Sequence, residues 1–421
     1  LADAEQRTSL LGAPTSAWRG DNFTIAAAFA RLQQAQALLR RQRSDLFPAL
    51  STIGNAGRVE TNSQNDRTDL SLGLAVSYEV DVWGRIRNEV EAERLAASAT
   101  AADLQTVAIT LSAEVAQTWL SLVVARQQLE LLASQLETNQ TVLVVLERRF
   151  AAGQSGSADV LRQRQLVESS REQILLADAD AAVLEHQLAV LQGLVPTATR
   201  TISPETNALP SIPPLPATGV PSQLLQRRPD VLAAELRLLS ADRALAAAVR
   251  DQYPTLDLTA SITTAAEQPA DLFDDFVASI AGQAVAPLID GGLRRSEVAR
   301  SEAVRLELLA DYGQTVLIAL QEVEDALVVE ALQVERIDNL QTQRDLAATT
   351  YNQLRTQYLN GVADFLSVLS ALQSQQQLER DLLTAQLQRA IARVDLYRAL
   401  AGGFELPTIR DDLLTTEAAD G

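Results

Sequence analysis

Between Leu70 and Val82 every second residue is apolar or aromatic: Leu70, Leu72, Leu74, Val76, Tyr78, Val80 and Val82 alternate with Ser71, Gly73, Ala75, Ser77, Glu79 and Asp81. A period of two places these sets on opposite faces of a strand, one greasy and one polar. At about 3.3 Å per residue the run reaches about 40 Å, roughly twice a usual strand and enough to cross a bilayer at a tilt. Trp83-Gly84 ends it, and from Arg85 the pattern turns helical, with no proline before Pro196. Upstream, residues 1–22 read as an irregular lead-in and 24–46 as a helix stopped by Phe47-Pro48. A weak strand from Leu50 to Ile53 then leads into a polar stretch, GNAGRVETNSQNDRTD, which reads as an exposed loop.

The same order returns. After a helix over 222–252, Tyr253-Pro254-Thr255-Leu256 echoes Phe47-Pro48-Ala49-Leu50, and Leu256, Leu258, Ala260 and Ile262 alternate with Asp257, Thr259, Ser261 and Thr263. A polar loop follows, then a less regular strand within 276–289, and Gly291-Gly292-Leu293-Arg294 stands where Trp83-Gly84-Arg85-Ile86 stood. The chain is therefore expected to be a duplication, with a first structural repeat over 1–205 and a second over 206–421. Each repeat holds a strand-loop-strand unit (50–82 and 255–289), a long helix (85–151 and 293–359) and a return helix (155–192 and 365–401). The proline-rich stretch 194–221 and the tail 403–421 are expected to wrap the helices as a belt.

The long helices set the scale. Each spans 67 residues, roughly 100 Å at about 1.5 Å per residue, several times an average helix. The first carries a 4,3 heptad seam from Leu104 through Leu111, Leu122, Leu132 and Asn139 to Phe150, which asks for partner helices along its length.

Composition narrows what the elements do. No run of about 18 apolar residues offers a membrane-crossing helix, so a spanning reading rests on strands. With no Cys and one His, disulfides, thiolate chemistry and multi-histidine metal sites are excluded, so no metal, cofactor or catalytic residue is expected. A net charge of −19 argues against nucleic acid as partner and for a cation-favouring surface. Neither Lys nor Met occurs, so the 35 Lys and Arg positions are all arginine.

Four amphipathic strands cannot enclose a channel, since about eight are needed merely to fill a barrel with side chains. Open sheet edges are not tolerated in lipid. The pattern therefore predicts a mixed fold: a transmembrane β-barrel shared by several chains with four strands from each, twelve if the assembly is a homotrimer, continued by a long antiparallel coiled-coil α-barrel. Phe47, Trp83 and Tyr253, where strands meet helices, are expected to form an interface belt against membrane lipid; the alternative is plain hydrophobic plugs at the junctions Gly84 and Gly292. A soluble trimeric coiled-coil scaffold also fits the heptads, though not the strands.

YEVDVWGR (78–85), PSQLLQRRPDV (221–231), PLIDGG (287–292), QEVEDAL (321–327) and LYRALAGG (396–403) together resemble the outer-membrane efflux protein family, the TolC group, in its drug-pump branch. The resemblance implies an outer-membrane channel extending into the periplasm, a passive duct that takes substrates from a periplasmic adaptor protein and an inner-membrane drug pump; the alternative within that architecture is the exit of a protein secretion system. It further implies a periplasmic aperture where the second long helix turns into its return helix. Where the family often carries DVLDA, this chain has Ser367-Val368-Leu369-Ser370-Ala371, with both acidic positions serine. The gate candidates are thus Asp364, Ser367, Ser370, Tyr358 and, in the first repeat's turn, Asp159. Asp159 and Asp364 also suit helix N-caps.

Overall fold

The computed structural model describes residues 22–59, 67–196, 208–215 and 227–400. The lead-in, most of the belt stretch and the tail lie outside the described residues. The elements are α1 (Phe23–Ser44), β1 (Ala49–Val59), β2 (Arg67–Glu79), α2 (Arg85–Ala151), α3 (Ser157–Leu191), α4 (Pro229–Arg250), β3 (Thr255–Ala266), β4 (Val277–Val285), α5 (Leu293–Leu359) and α6 (Phe365–Leu400).

Two compact units share these elements, each drawing on both ends of the sequence. One holds Ala27–Leu104 and Pro229–Leu317; the other holds Leu1–Ala26, Gln105–Arg228 and Ile318–Gly421.

The first unit contains one antiparallel sheet in the order β1-β2-β3-β4. Its register lines residues up in rows that alternate in polarity. Leu50, Val76, Ala260 and Ile280 stand side by side, and the next row, on the other face, is Ser51, Ala75, Ser261 and Ser279. The apolar rows are bare, with Ile280 90% exposed, while Ser261 and Ser279 hydroxyls bond each other at 2.8 Å and Asn55 donates to Ser71 at 3.3 Å. Glu79, Asp257 and Gln283 form the last polar row shared by β2, β3 and β4. Among the described residues, β1 and β4 each have one edge without a partner strand.

Two strand expectations are corrected. Residues 54–59 continue β1 instead of starting a loop, because β2 offers them a full ladder from Gly54↔Leu72 to Val59↔Arg67. At the other end β2 stops at Glu79, since the Asp81 carboxylate turns back to accept from the backbone N–H groups of Ile86 (3.3 Å) and Arg87 (3.0 Å), capping α2.

The second unit is a helix assembly with α2 at its centre. One face of α2 (Leu111, Val115, Leu122, Ala125) packs on Ala181 and Leu188 of α3. Another (Ala113, Ala116, Leu120) packs on Ala390 and Val394 of α6, with Leu209 and Ile212 laid against it. Helices α5 and α6 meet through Val323, Ala326, Leu396 and Ala399, and again through Ile337, Leu340, Leu382 and Ala385. The heptad seam is buried or half-buried except for Phe150, which the helix end leaves exposed. A window of α2 reaches a mean hydropathy of 1.5, apolar enough to cross a membrane by composition, but more than half of it is buried by these neighbours.

Two polar features interrupt this core. Asn139, fully buried on the seam, donates to Ser170 Oγ at 2.8 Å and accepts from Gln376 Nε2 at 3.0 Å, and its carbonyl accepts from Gln163 Nε2 at 2.7 Å. A buried polar residue at a heptad position fixes which turn faces which. The second is an ion pair between Arg393 and Glu330, 3% and 4% exposed. Arg393 Nε donates to Glu330 Oε2 at 2.9 Å, and its Nη1 donates to the carbonyls of Pro213 and Pro214, the latter at 3.1 Å. Burial works against the guanidinium's charge, but the Glu330 contacts outweigh it and the arginine stays firmly protonated.

Candidate functional site

Two places gather the residues singled out by the sequence. The first is the junction of sheet and helices. Trp83 and Tyr253 stack with ring centroids 5.2 Å apart, and Trp83 Nε1 donates to the Pro254 carbonyl at 2.7 Å. Both rings remain about half exposed, and Phe47 stands apart from the pair, 68% exposed. Gly84 and Gly292 have φ of +80° and +91°, a region that strains other L-residues, so each lets its strand turn directly into a helix. The turns are pinned alike. Asp81 holds the start of α2 and Arg87, and Asp290 accepts from Gly292 N (3.0 Å) and Arg294 N (3.3 Å) at the start of α5. Arg294 also donates to the Asp251 carboxylate at 3.0 Å, tying the residue after α4 to α5.

The second place is the pair of turns that end α2 and α5. Both close with a left-handed glycine: Gly153 N bonds Phe150 O at 2.9 Å and Gln154 N bonds Arg149 O at 2.8 Å, while Gly361 N bonds Tyr358 O at 3.0 Å and Val362 N bonds Gln357 O at 2.9 Å. One cluster joins the turns, with Leu146, Val160, Phe365, Val368 and Leu369 at its centre and Tyr358 packed against it. The Tyr358 ring lies 5.7 Å from Phe365 and has the Arg149 guanidinium 4.8 Å above its face; its hydroxyl is buried without a hydrogen-bond partner among the described residues. Sequence reasoning missed Arg149, which gave no signal beyond its place near the helix end.

The aspartates divide. Asp364 caps α6, accepting from Ser367 N at 2.7 Å, and this backbone bond holds its carboxyl below the ordinary aspartate value. Asp159 is not the cap of α3: Gly156 holds that position, and Asp159 sits in the first turn near Arg162 Nη1, 3.5 Å away. Ser370 is exposed and Ser367 half-buried beside it.

An open-edged sheet with one bare apolar face, joined to very long helices, defines a class: a subunit of a β-barrel assembled from several chains in a membrane. Comparison with known proteins gives the family. The model of the outer membrane efflux protein family matches residues 16–194 and 220–402, and the chain belongs to that family. It is similar to the pyoverdine export outer membrane protein OpmQ of Pseudomonas putida, 31% identical over 405 residues that cover 92% of this chain and 84% of OpmQ. Outer membrane protein OprJ of Pseudomonas aeruginosa is 29% identical over 404 residues, covering 91% and 82%. Among solved structures, the outer-membrane channel OprN superposes with a TM-score of 0.88 at 27% identity, over 94% of this chain and 90% of that one, and CusC with 0.86 at 26%, over 94% and 92%. The protein is accordingly an outer-membrane efflux channel reaching into the periplasm. Its fold is that of a trimer in which each chain gives four strands to a β-barrel and long helices to an α-barrel.

Proposed function

We propose that this channel is the exit duct of a tripartite multidrug efflux system, passively conducting organic substrates handed over by an inner-membrane pump through a periplasmic adaptor. The observation that carries the reading is the family match over almost the whole chain, together with an open-edged sheet that only a shared barrel can satisfy. Relatives export cargoes as different as pyoverdine, cations and solvents. Organic cargo is favoured here because the chain offers no thiolate or thioether and a single imidazole, poor equipment for handing on soft metal ions.

In this reading the turns after α2 and α5 form the periplasmic gate. Tyr358, wedged between Arg149 and Phe365 with its hydroxyl unmet, is the mobile element, since an unpartnered buried hydroxyl costs about 1–3 kcal/mol and gains from leaving. Asp364, Ser367, Ser370 and Asp159 line the approach, and Phe47, Trp83 and Tyr253 mark the membrane interface. The test has two arms. Expression in a drug-sensitive strain lacking its own duct, with a cognate pump and adaptor, should restore resistance; no rescue, or rescue only towards metal salts, overturns the multidrug reading. In planar bilayers Tyr358→Ala should raise the conductance of the resting channel, and unchanged conductance removes the gate assignment.

A further inference from the structure

Three polar groups converge on bare backbone at the first junction. From the position a Cβ would take at Gly84, the Asn88 amide nitrogen is 3.6 Å away, Arg87 Nη2 3.7 Å and Arg250 Nε 3.8 Å. The two guanidiniums come from different helices, α2 and the last turn of α4. Only one of their charges is answered among the described residues. Arg87 meets Asp81, Nε to Oδ2 at 3.0 Å and Nη2 to the backbone carbonyl at 2.9 Å. Arg250 gives one N–H to the Ala246 carbonyl at 3.3 Å and forms no ion pair among the described residues. The N–H groups of Ile86 and Arg87 are already taken by Asp81, and the Asn88 amide gives one N–H to the Gly84 carbonyl, so what remains to face Gly84 is side-chain guanidinium and the second amide N–H.

The second junction lacks this arrangement. Nothing lies within 4 Å of a Cβ built on Gly291 or Gly292, and Arg294 is held between Asp251 and Asp290. The cradle therefore does not follow from the turn alone. Paired guanidiniums with an amide donor beside them suit the oxygens of a phosphate, which planar arginine forks bind well. Next to them the stacked Trp83–Tyr253 pair keeps its polar end tied to Pro254 and its rings half free, as aromatic residues do at a lipid–water boundary.

We propose that Gly84, Arg87, Asn88 and Arg250 form a site for the phosphodiester of an anionic phospholipid in the periplasm-facing leaflet of the outer membrane. The headgroup sits over Gly84, and the acyl chains pass Trp83 and Tyr253 onto the apolar rows of the sheet. The proposal rests on the channel reading, which puts this junction at the membrane boundary.

Native mass spectrometry of the detergent-purified trimer, titrated with phosphatidylglycerol and with phosphatidylcholine, tests it. The unsubstituted trimer should prefer phosphatidylglycerol, and equal binding of the two lipids overturns the proposal. Arg250→Gln should weaken phosphatidylglycerol binding about tenfold, the loss of one charge-assisted hydrogen bond, and Arg250→Lys should lose less. Arg295→Gln, an exposed arginine at the second junction, should leave it unchanged; equal losses in R250Q and R295Q show diffuse attraction and overturn the site. Displacement of the lipid by millimolar inorganic phosphate would reassign the cradle to a free anion. Bilayer conductance of R250Q equal to the parent's keeps the channel reading intact whichever way the lipid result falls.

Discussion

Replacing Glu330 by Gln strands a positive charge in the helix unit. Arg393 is 3% exposed, and among the described residues its only carboxylate contacts are to Glu330, with Nη1 turned to Pro213 and Pro214. Removing one partner of a buried pair costs about 3–5 kcal/mol because the other is left without compensation. Pro213 and Pro214 carbonyls soften the loss without neutralising the charge, so the lower part of that range is expected. Hydrogen exchange reads the effect locally: amides of α6 around Ala392–Val394 should open about 100-fold more often, the equivalent of roughly 3 kcal/mol. Limited proteolysis within 208–215 should stay near the parent's rate in this variant, because Arg393 keeps its bonds to the Pro213 and Pro214 carbonyls. Glu330→Leu combined with Arg393→Met fills the same space without charge and should recover most of the protection, as apolar replacements of buried pairs do. Exchange within threefold of the parent in Glu330→Gln, or a double variant as open as the single one, would refute the reasoning.

Three further substitutions probe other elements. Gly73→Ala puts a Cβ 2.5 Å from Thr263 Cγ2 and 2.8 Å from the Ile262 carbonyl oxygen, which cannot yield without opening the β2–β3 ladder; the trimer band on unheated gels should disappear, while Gly57→Ala, with nothing within 4 Å, leaves it. Asn139→Leu orphans the Gln376 amide at about 1–3 kcal/mol per unmet group, seen as a lower denaturation midpoint, whereas the Gln163 bond to the backbone carbonyl persists. The Asp364 cap depends on pH: its folded carboxyl titrates below the ordinary value of about 3.9, so its contribution is present above that pH and lost as pH falls through the lower folded value. The protection factor of the Ser367 amide, exchange relative to its intrinsic rate at each pH, should fall on that acid side in the parent but stay level in Asp364→Asn, which caps without titrating.

How far the fold could be read in advance depended on how local its causes are. Helices α2 and α5 run over 85–151 and 293–359 as expected, because long proline-free tracts and terminal glycines are written residue by residue. Strand β1 was half hidden: Gly54 to Arg58 carry little strand propensity, and only pairing with β2 makes them a strand. Asp81 looked like the polar partner in an alternation and is instead a helix cap. Asp159 and Asp364 looked equivalent, but Gly156 took the cap of α3 and left Asp159 beside Arg162. Arg149 over Tyr358, and Glu330 with Arg393, join residues far apart in sequence, and no spacing rule points to either.

The free edges of β1 and β4 carry one last consequence, in genetics. A chain whose outer edge is spoiled, for instance by proline within β4, still offers a sound β1 edge and can enter an assembly that it then cannot close. Such an allele would act dominantly: one faulty member disables two sound companions, so cells carrying both forms would lose far more export than half. A fault confined to the helix unit that keeps a chain from folding at all removes only itself and would be recessive.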